Sequence, residues 1–360
     1  MAATKKTQTS KTKTSNPKTH NPKLVRILSV DGGGIRGILP GQILVRLEEL
    51  LQEHDPQAKL ADYFDFMAGT STGGILTCLY LFPDPQHPDR PLFSAQDAVD
   101  LYLERGDDIF DVSLWRKIRT AGGTLDEKYD AEELEAALQQ YFEDTWLHDM
   151  LRPCLITAYD IKRRKPHFFT QHDANKPAKD FRIRDLARAT SAAPTYFEAA
   201  RIYSKSKIPY PLIDGGVFAN NPTLCAYSEC RTLDEGKDGR IRKPRAADMA
   251  ILSIGTGSKR EPYAWKEAKN WGAIGWIKPV LDIMMAGSAD TVGYHLSQIY
   301  DAVGKQDQYL RIDPALGDAS ASMDDASEDN LLALKQAGTE AAEVHEDELR
   351  AFAKLLHDNS

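Results

Sequence analysis

The chain has 360 residues, of which 42% are hydrophobic, so it is long enough to bury the core of one large α/β domain. Its net charge is −8, and because the first 23 residues hold six lysines and no acid, the rest carries about −14. This acidic balance argues against tight nucleic-acid binding, and the lack of any stretch of about 20 apolar residues argues against a membrane-spanning helix. We expect a soluble, cytoplasmic protein whose membrane association, where it occurs, is peripheral.

Residues 1–23 differ in composition from the remainder of the chain. They consist largely of Thr, Ser, Asn, Pro and Lys and contain almost nothing apolar. Such a segment cannot offset the conformational entropy that it would lose on ordering, which predicts a disordered basic tail. It also lacks the apolar run of a secretory signal.

The folded part opens with two units of strand, turn and helix. Residues 24–30 are a β-branched run, which a glycine cluster and an apolar-periodic stretch follow. The plan is repeated at 63–68 as a strand, 69–74 as a turn and 75–82 as a buried helix. Two such units predict a mainly parallel central sheet with helices on both faces, which is a three-layer α/β/α fold.

Further elements follow a proline-rich loop at 83–91. Short apolar runs predict three more strands, at 154–159, 208–213 and 249–254. Helical periodicity predicts helices in four segments: 95–105 and 131–142 as a helical insertion, 265–300 in pieces, and 329–357 as a closing pair.

Gly69-Thr70-Ser71-Thr72-Gly73 lies directly between a predicted strand and a predicted helix. A G-x-S-x-G in this position is typical of a nucleophile elbow, in which small neighbours let the serine hydroxyl project from a sharp turn. The helix that begins there directs N–H groups and the positive end of its dipole towards developing negative charge. Ser71 is therefore a candidate nucleophile, although the pentapeptide alone also suits a turn that caps a helix.

Residues 31–37, Asp-Gly-Gly-Gly-Ile-Arg-Gly, form a second glycine turn between strand and helix. Amides that no side chain shields can converge on an anion, which suits an oxyanion hole. Gly32, Gly34 and Gly37 also match the dinucleotide-binding G-x-G-x-x-G, with Glu53 and Asp55 at about the expected distance. The serine elbow at the next strand favours the oxyanion hole, because a dehydrogenase has no use for a nucleophile there.

Asp214-Gly215-Gly216 follows the predicted strand at 208–213. The Asp214 carboxylate thus lies at the carboxyl end of a strand, where open α/β sheets place their active sites. In isolation, Asp-Gly-Gly also fits an ordinary turn.

Five blocks together resemble the patatin-like phospholipase family in sequence and in order. They are G-G-G-x-R-G at 32–37, G-T-S-T-G at 69–73, A-T-S-A-A-P-T-Y-F at 189–197, D-G-G at 214–216 and I-G-T-G at 254–257. The resemblance covers roughly 25–312 and implies a single patatin-like domain. The chain is predicted to divide into the tail at 1–23, a catalytic domain at 24–312 and C-terminal helices at 313–360 packed on that domain.

The resemblance implies a lipid acyl hydrolase of the phospholipase A type with a Ser71–Asp214 dyad. Asp214 accepts the proton of Ser71, an acyl-serine intermediate forms, and the amides of Gly32, Gly33 and Gly34 receive the oxyanion. The residues that support these loops are Arg36, Gly37, Gly69, Gly73, Gly215 and Gly216.

The implied mechanism needs no metal and no other cofactor, so the activity is expected to be independent of calcium. The expected partners are a lipid or acyl ester substrate and, transiently, a membrane or micelle surface, with no nucleic acid. The main rival from another class is a catalytically silent or regulator-gated protein of the same fold that binds acyl chains.

Three points stay open at the level of sequence. Arg36 either tethers the glycine loop through a carboxylate or holds a lipid phosphate. A Ser-Asp-His triad is an alternative to the dyad, because three histidines follow Asp214: His295, His345 and His357. The third point is an apolar stretch that forms either a mouth for lipid or part of the core: Trp265, Trp271, Trp276, Ile277, Met284 and Met285.

Overall fold

The computed structural model describes residues 24–109, 132–233, 243–259 and 262–360. The predicted tail at 1–23 lies outside these residues. Within the described ranges, no helix combines the length and the apolar character that crossing a membrane requires.

A mixed sheet of eight strands forms the centre of the described structure, in the order β5-β6-β3-β2-β1-β7-β8 with β4 also paired to β3. The strands are β1 (Val25–Val30), β2 (Phe66–Thr70), β3 (Cys154–Asp160), β4 (Lys165–Thr170), β5 (Ala200–Tyr203), β6 (Pro209–Asp214), β7 (Met249–Ile254) and β8 (Tyr309–Ile312). The five strands from β3 through β2, β1 and β7 to β8 are parallel, which confirms the predicted mainly parallel sheet.

Helices cover both faces of this sheet, as predicted. They are α1 (Ile38–Gln52), α2 (Leu60–Tyr63), α3 (Thr72–Tyr80), α4 (Ala95–Ile109), α5 (Glu132–Phe142), α6 (Ile183–Thr190), α7 (Gly216–Ala219), α8 (Thr223–Cys230), α9 (Trp265–Ala268), α10 (Gly272–Val303), α11 (Glu328–Val344) and α12 (Glu346–Asp358). Alternate residues of β1 belong to two different hydrophobic clusters. Leu28 and Val30 pack with α1. Ile27 packs with Tyr227 of α8 and Leu296 of α10. The three-layer α/β/α prediction is therefore confirmed.

The structure adds to the predicted elements in two respects. Helix α4 packs on α1, and α5 packs on α4 and α6, so the helices predicted as an insertion form part of a helical layer. Strands β4, β5 and β8 were not predicted, because β5 and β8 have only four residues each and β4 begins with the exposed sequence Lys-Pro-His. The C-terminal helices α11 and α12 pack on α1, and the domain boundary at residue 312 stays a prediction.

The two edges of β3 decide where Ser71 and Asp214 lie. Strand β4 pairs with one edge along 155–160, and β2 pairs with the first part of the other edge. Strand β6 runs antiparallel to β3 and pairs with 158–160, so it lies on the β2 edge, beyond the end of β2. The carboxyl ends of β2 and β6 therefore meet head to head. Asp214 ends an antiparallel strand, and not one of the parallel strands on which the sequence argument relied.

Replacing Gly338 by Ala should destabilise the contact between α11 and α1. A Cβ atom at this position would lie 2.7 Å from Cβ of Gln42 and 2.8 Å from the carbonyl oxygen of Leu39. The overpacking cost of about 1–3 kcal/mol exceeds the gain in helix propensity of about 1 kcal/mol. In Gly293→Ala, on α10, the new Cβ would meet no described atom within 4 Å, so that variant should gain stability. Chemical denaturation measures the free energy of unfolding of both variants. Equal changes in the two would contradict the close contact at Gly338.

Candidate active site

Ser71 is the single residue between β2 and α3, so the turn is tighter than the predicted 69–74. Its backbone has φ 55° and ψ −123°, a conformation that costs a residue with a side chain about 1–3 kcal/mol. A threonine relay holds it: the Ser71 amide donates to Oγ1 of Thr190 at 2.9 Å, and that hydroxyl donates to the carbonyl of Thr157 at 2.7 Å. The strained turn is thus anchored to the end of α6 and to β3.

Gly69 and Gly73, on either side of Ser71, must be glycines because other backbone atoms lie too close to leave room for a Cβ atom. A Cβ atom at Gly69 would lie 2.1 Å from the carbonyl oxygen of Gly73, and one at Gly73 would lie 2.2 Å from that of Val30. Two further predicted glycines have comparably close neighbours, Gly37 beside Thr72 and Gly215 beside Thr157.

Asp214 is buried and lines the same cavity as Ser71. Its carboxylate accepts a hydrogen bond from the amide of Gly216 at 2.7 Å. Burial disfavours the charged form and raises the pKa of Asp214 to about 6, and the Gly216 amide and the nearby Ser71 hydroxyl partly oppose this effect. The structure therefore brings the predicted nucleophile and the predicted proton acceptor together.

The three glycines predicted to form the oxyanion hole are not equivalent. Gly33 and Gly34 line the same cavity as Ser71, whereas the Gly32 amide donates to the carbonyl of Asn220 at 3.1 Å. The Gly32 carbonyl is held in turn by Oγ1 of Thr256 at 2.8 Å and by Nδ2 of Asn220 at 3.3 Å. Among the described residues, neither the Gly33 amide nor the Gly34 amide has an acceptor. Two of the three glycines thus border the cavity and have amides without a partner from the described chain.

Two arginines brace the glycine loop. Arg36 donates from Nε to the carbonyl of Gly33 at 3.3 Å and from Nη1 to that of Gly257 at 3.0 Å. The expected tether is present, but it is made to backbone carbonyls and not to a carboxylate. Arg311 of β8 forms a two-pronged ion pair with buried Asp31, at 2.9 and 2.6 Å. Both ends of the loop are therefore held by charge-assisted hydrogen bonds.

A cavity of about 330 Å³ opens over Ser71 and Asp214. Its wall is largely apolar, with contributions from the 191–197 segment, α7, α10 and the loop before α11. The apolar and aromatic lining residues are Ala193, Pro194, Tyr196, Phe197, Val217, Tyr263, Pro279, Leu281, Met284, Met285, Ala321 and Met323. The size and character of this space suit an acyl chain better than a polar metabolite.

The three histidines of the alternative triad lie elsewhere. His295 is exposed on α10 and contacts the ring of Tyr294. His345 pairs with Glu348, and the ring of His357 stacks on that of His54. No histidine among the described residues lines the cavity, so the geometry favours the dyad.

The apolar stretch around α10 is not core. Trp265 is 73% exposed, and Trp276 and Met284 are 42% and 47% exposed. Met284 and Met285 line the cavity, whereas Trp271 packs against Tyr263 and Trp276. The core interpretation is therefore wrong for the exposed part of this stretch.

The sequence analysis missed four residues of the site, of which two lie in the quoted blocks. Thr190 and Thr256 have no chemistry that a motif reveals, because each acts through one hydrogen bond that the fold creates. Asn220 lies outside the quoted blocks, and its contacts with Gly32 depend on the fold. Arg311 gave no signal, since its partner Asp31 is far away in the sequence and β8 is very short.

Sequence comparison with known proteins identifies relatives of this chain. Residues 28–227 match the family model described as patatin-like phospholipase. Patatin-17 of Solanum cardiophyllum and patatin-like protein 1 of Arabidopsis thaliana are each 37% identical to the chain, over 93% of it and 90% of their own lengths. A Solanum tuberosum relative named probable inactive patatin-3-Kuras 1 is 35% identical, over 93% of each chain. The likeness thus includes both glycine turns and the Asp214 loop.

Replacing Asp214 by Asn should stabilise the protein in a pH-dependent way. The pKa of this carboxyl is about 6 in the fold against 3.8 without burial, so the native state binds its proton more tightly than the unfolded state does. The ionised group then costs about 3 kcal/mol above pH 6, and Asn removes this cost. The gain in the free energy of unfolding of Asp214→Asn over the wild type should be absent below pH 4, rise between pH 4 and pH 6, and stay constant above pH 6.

Denaturation curves at pH 4, 6 and 8 measure this difference. Asp318→Asn, at an exposed position, is the matched control and should change little. A gain that does not vary with pH would contradict the raised pKa.

Proposed function

Because the chain belongs to the patatin-like phospholipase family, we propose that it hydrolyses acyl esters of lipids with Ser71 as nucleophile and Asp214 as general base. The observation that carries the proposal is that Ser71 and the buried Asp214 line one cavity, with the Ser71 hydroxyl near enough to lower the pKa of the Asp214 carboxyl. A serine hydroxyl attacks a carbonyl only if a base accepts its proton in the transition state. Asp214 is the neighbouring group that can do so.

In the first half-reaction, Oγ of Ser71 attacks the ester carbonyl while its proton passes to Asp214. Burial makes the Asp214 carboxylate a stronger base than an exposed one, because its pKa lies near 6 and thus closer to neutral pH. The tetrahedral intermediate then collapses, and Asp214 returns the proton to the departing alcohol or lysolipid oxygen. The product of this step is acyl-Ser71.

The negative oxygen of the intermediate needs donors aimed at it. We assign this role to the amides of Gly33 and Gly34, which border the cavity, and we leave out Gly32, whose amide is engaged with Asn220. One well-placed donor is worth about 3–4 kcal/mol in the transition state. The braces at Arg36 and Arg311 keep these donors in place, so that little reorganisation accompanies the reaction.

In the second half-reaction, water attacks acyl-Ser71 and gives its proton to Asp214. Collapse of the second tetrahedral intermediate releases the fatty acid, and Ser71 Oγ recovers the proton. The sum is one ester and one water converted to one acid and one alcohol. No step needs a metal ion, so activity should persist in a calcium chelator.

The apolar cavity wall favours a long acyl chain as the part of the substrate that is bound. A lipid of this kind resides in a membrane or micelle, so the enzyme works at a lipid surface as well as on monomeric esters. The alternative hypothesis is a catalytically silent protein that binds acyl chains. It would have the same cavity and would differ only in that it does not turn over substrate.

Ser71→Ala and Asp214→Ala should each lower kcat on a chromogenic short-chain acyl ester by about 1,000-fold or more, in the presence of chelator. Both remove the acyl-serine pathway, and the same loss is expected on phospholipid. In the wild type, kcat/KM should fall as the pH drops below about 6, because protonated Asp214 cannot accept the Ser71 proton.

His295→Ala is the control, since this side chain does not line the cavity. Loss of activity in that variant would point to a triad. A wild type without turnover that still binds fatty acid would instead support the silent protein.

Thr190→Val should lower kcat by about tenfold to a hundredfold with little change in KM. The substitution keeps the side-chain shape but removes the hydroxyl that links the Ser71 amide to the Thr157 carbonyl, so the strained elbow loses its anchor. Thr190→Ser retains the hydroxyl and should retain most of the activity. Steady-state kinetics on a soluble ester measures both variants, and equal losses would refute the anchoring role.

A further inference from the structure

The first half of α10 is apolar on two sides. On its inner side, Pro279, Leu281 and Met285 line the cavity over Ser71. On its outer side, five large apolar residues follow at helical spacing and are each 41% to 47% exposed; we call them the outer stripe: Trp276, Ile277, Val280, Ile283 and Met284. A helix that is apolar on all sides is normally buried. The outer stripe therefore lacks the partner that its composition requires.

The outer stripe is continuous with the catalytic cavity. Met284 belongs to both, because it lines the cavity and is also 47% exposed. From 272 to 287 the sequence contains two charged residues, Lys278 and Asp282, and Asp282 accepts a hydrogen bond from Tyr263 at 2.8 Å. An acyl chain that enters from this side thus meets a mostly apolar path to Ser71.

The short helix α9, next to the outer stripe in sequence, adds residues that suit a lipid surface. Trp265 is 73% exposed, and Nζ of Lys269 lies 4.9 Å from its ring centre. Lys266 is exposed on the same helix. Exposed tryptophan with neighbouring lysines is the pattern found where proteins meet membrane interfaces, since the ring enters the headgroup layer and the ammonium groups attract anionic lipid.

We propose that the outer stripe and Trp265 bind the surface of a lipid bilayer and hold the cavity mouth against it. The inference rests on the proposed function, because a lipid hydrolase must draw its substrate out of such a layer. Contact between the stripe and the bilayer removes the water gap that an acyl chain would otherwise cross. A second copy of the chain would cover the same residues but would also obstruct the mouth at Met284. We therefore assign the surface to lipid.

The test uses the full chain with Ser71→Ala, so that binding is measured without turnover, and vesicles of phosphatidylcholine with phosphatidylserine. The test variant adds Trp276→Ser, Ile277→Ser and Ile283→Ser, none of which lines the cavity. The matched control adds Val303→Ser, Leu332→Ser and Val344→Ser, which remove apolar side chains that are 43% to 79% exposed and do not line the cavity. Thermal unfolding establishes that both variants fold.

We expect the test variant to co-sediment with vesicles at least tenfold more weakly than the parent and the control to bind like the parent. With Ser71 intact, the test variant should hydrolyse vesicle phospholipid at least tenfold more slowly and a soluble short-chain ester at the parent rate. Equal vesicle binding by parent and test variant would overturn the proposal, as would a parent dimer that the test variant dissociates. Loss of vesicle binding in a chain that hydrolyses neither substrate would keep the docking surface and refute the hydrolase proposal.

Discussion

The head-to-head meeting of β2 and β6 on one edge of β3 is the constraint on which the site depends. Parallel strands alone place their carboxyl ends side by side along the edge of a sheet. Here β3 is long enough to pair with β2 over its first part and with antiparallel β6 over its last part, while β4 occupies its other edge. The last residue of β6 thus points at the turn after β2. Asp214 can contact Ser71 directly, without a histidine between them.

Burial then gives this contact its chemical character. Burial of Asp214 raises its pKa to about 6, so that the ionised form lowers the stability of the fold. The strained backbone of Ser71 adds a second cost, which the Thr190 relay and the surrounding core must offset. Both costs fall on the two residues to which we assign the reaction, and such a loss of stability is common at reactive sites.

The glycine loop shows how a flexible sequence is held in one conformation. Consecutive glycines allow amides to approach a ligand, but by themselves they would leave the loop mobile. Arg36 and the Asp31–Arg311 ion pair hold the loop to β8 and to Gly257, and Asn220 and Thr256 fix the orientation of Gly32. The next two glycines, Gly33 and Gly34, border the cavity.

Much of this molecule could be predicted from sequence because glycine requirements and strand-helix periodicity are local. The elbow at Ser71, the loop at 32–37, the parallel core strands and the helices on both faces follow from patterns a few residues long. The tertiary structure alone decided the antiparallel run of β6, the engagement of the Gly32 amide and the pairing of Asp31 with Arg311, because strand order and distant contacts depend on how whole elements pack. It also decided that the outer stripe of α10 is exposed, since apolar periodicity is the same whether a helix faces a core or an interface.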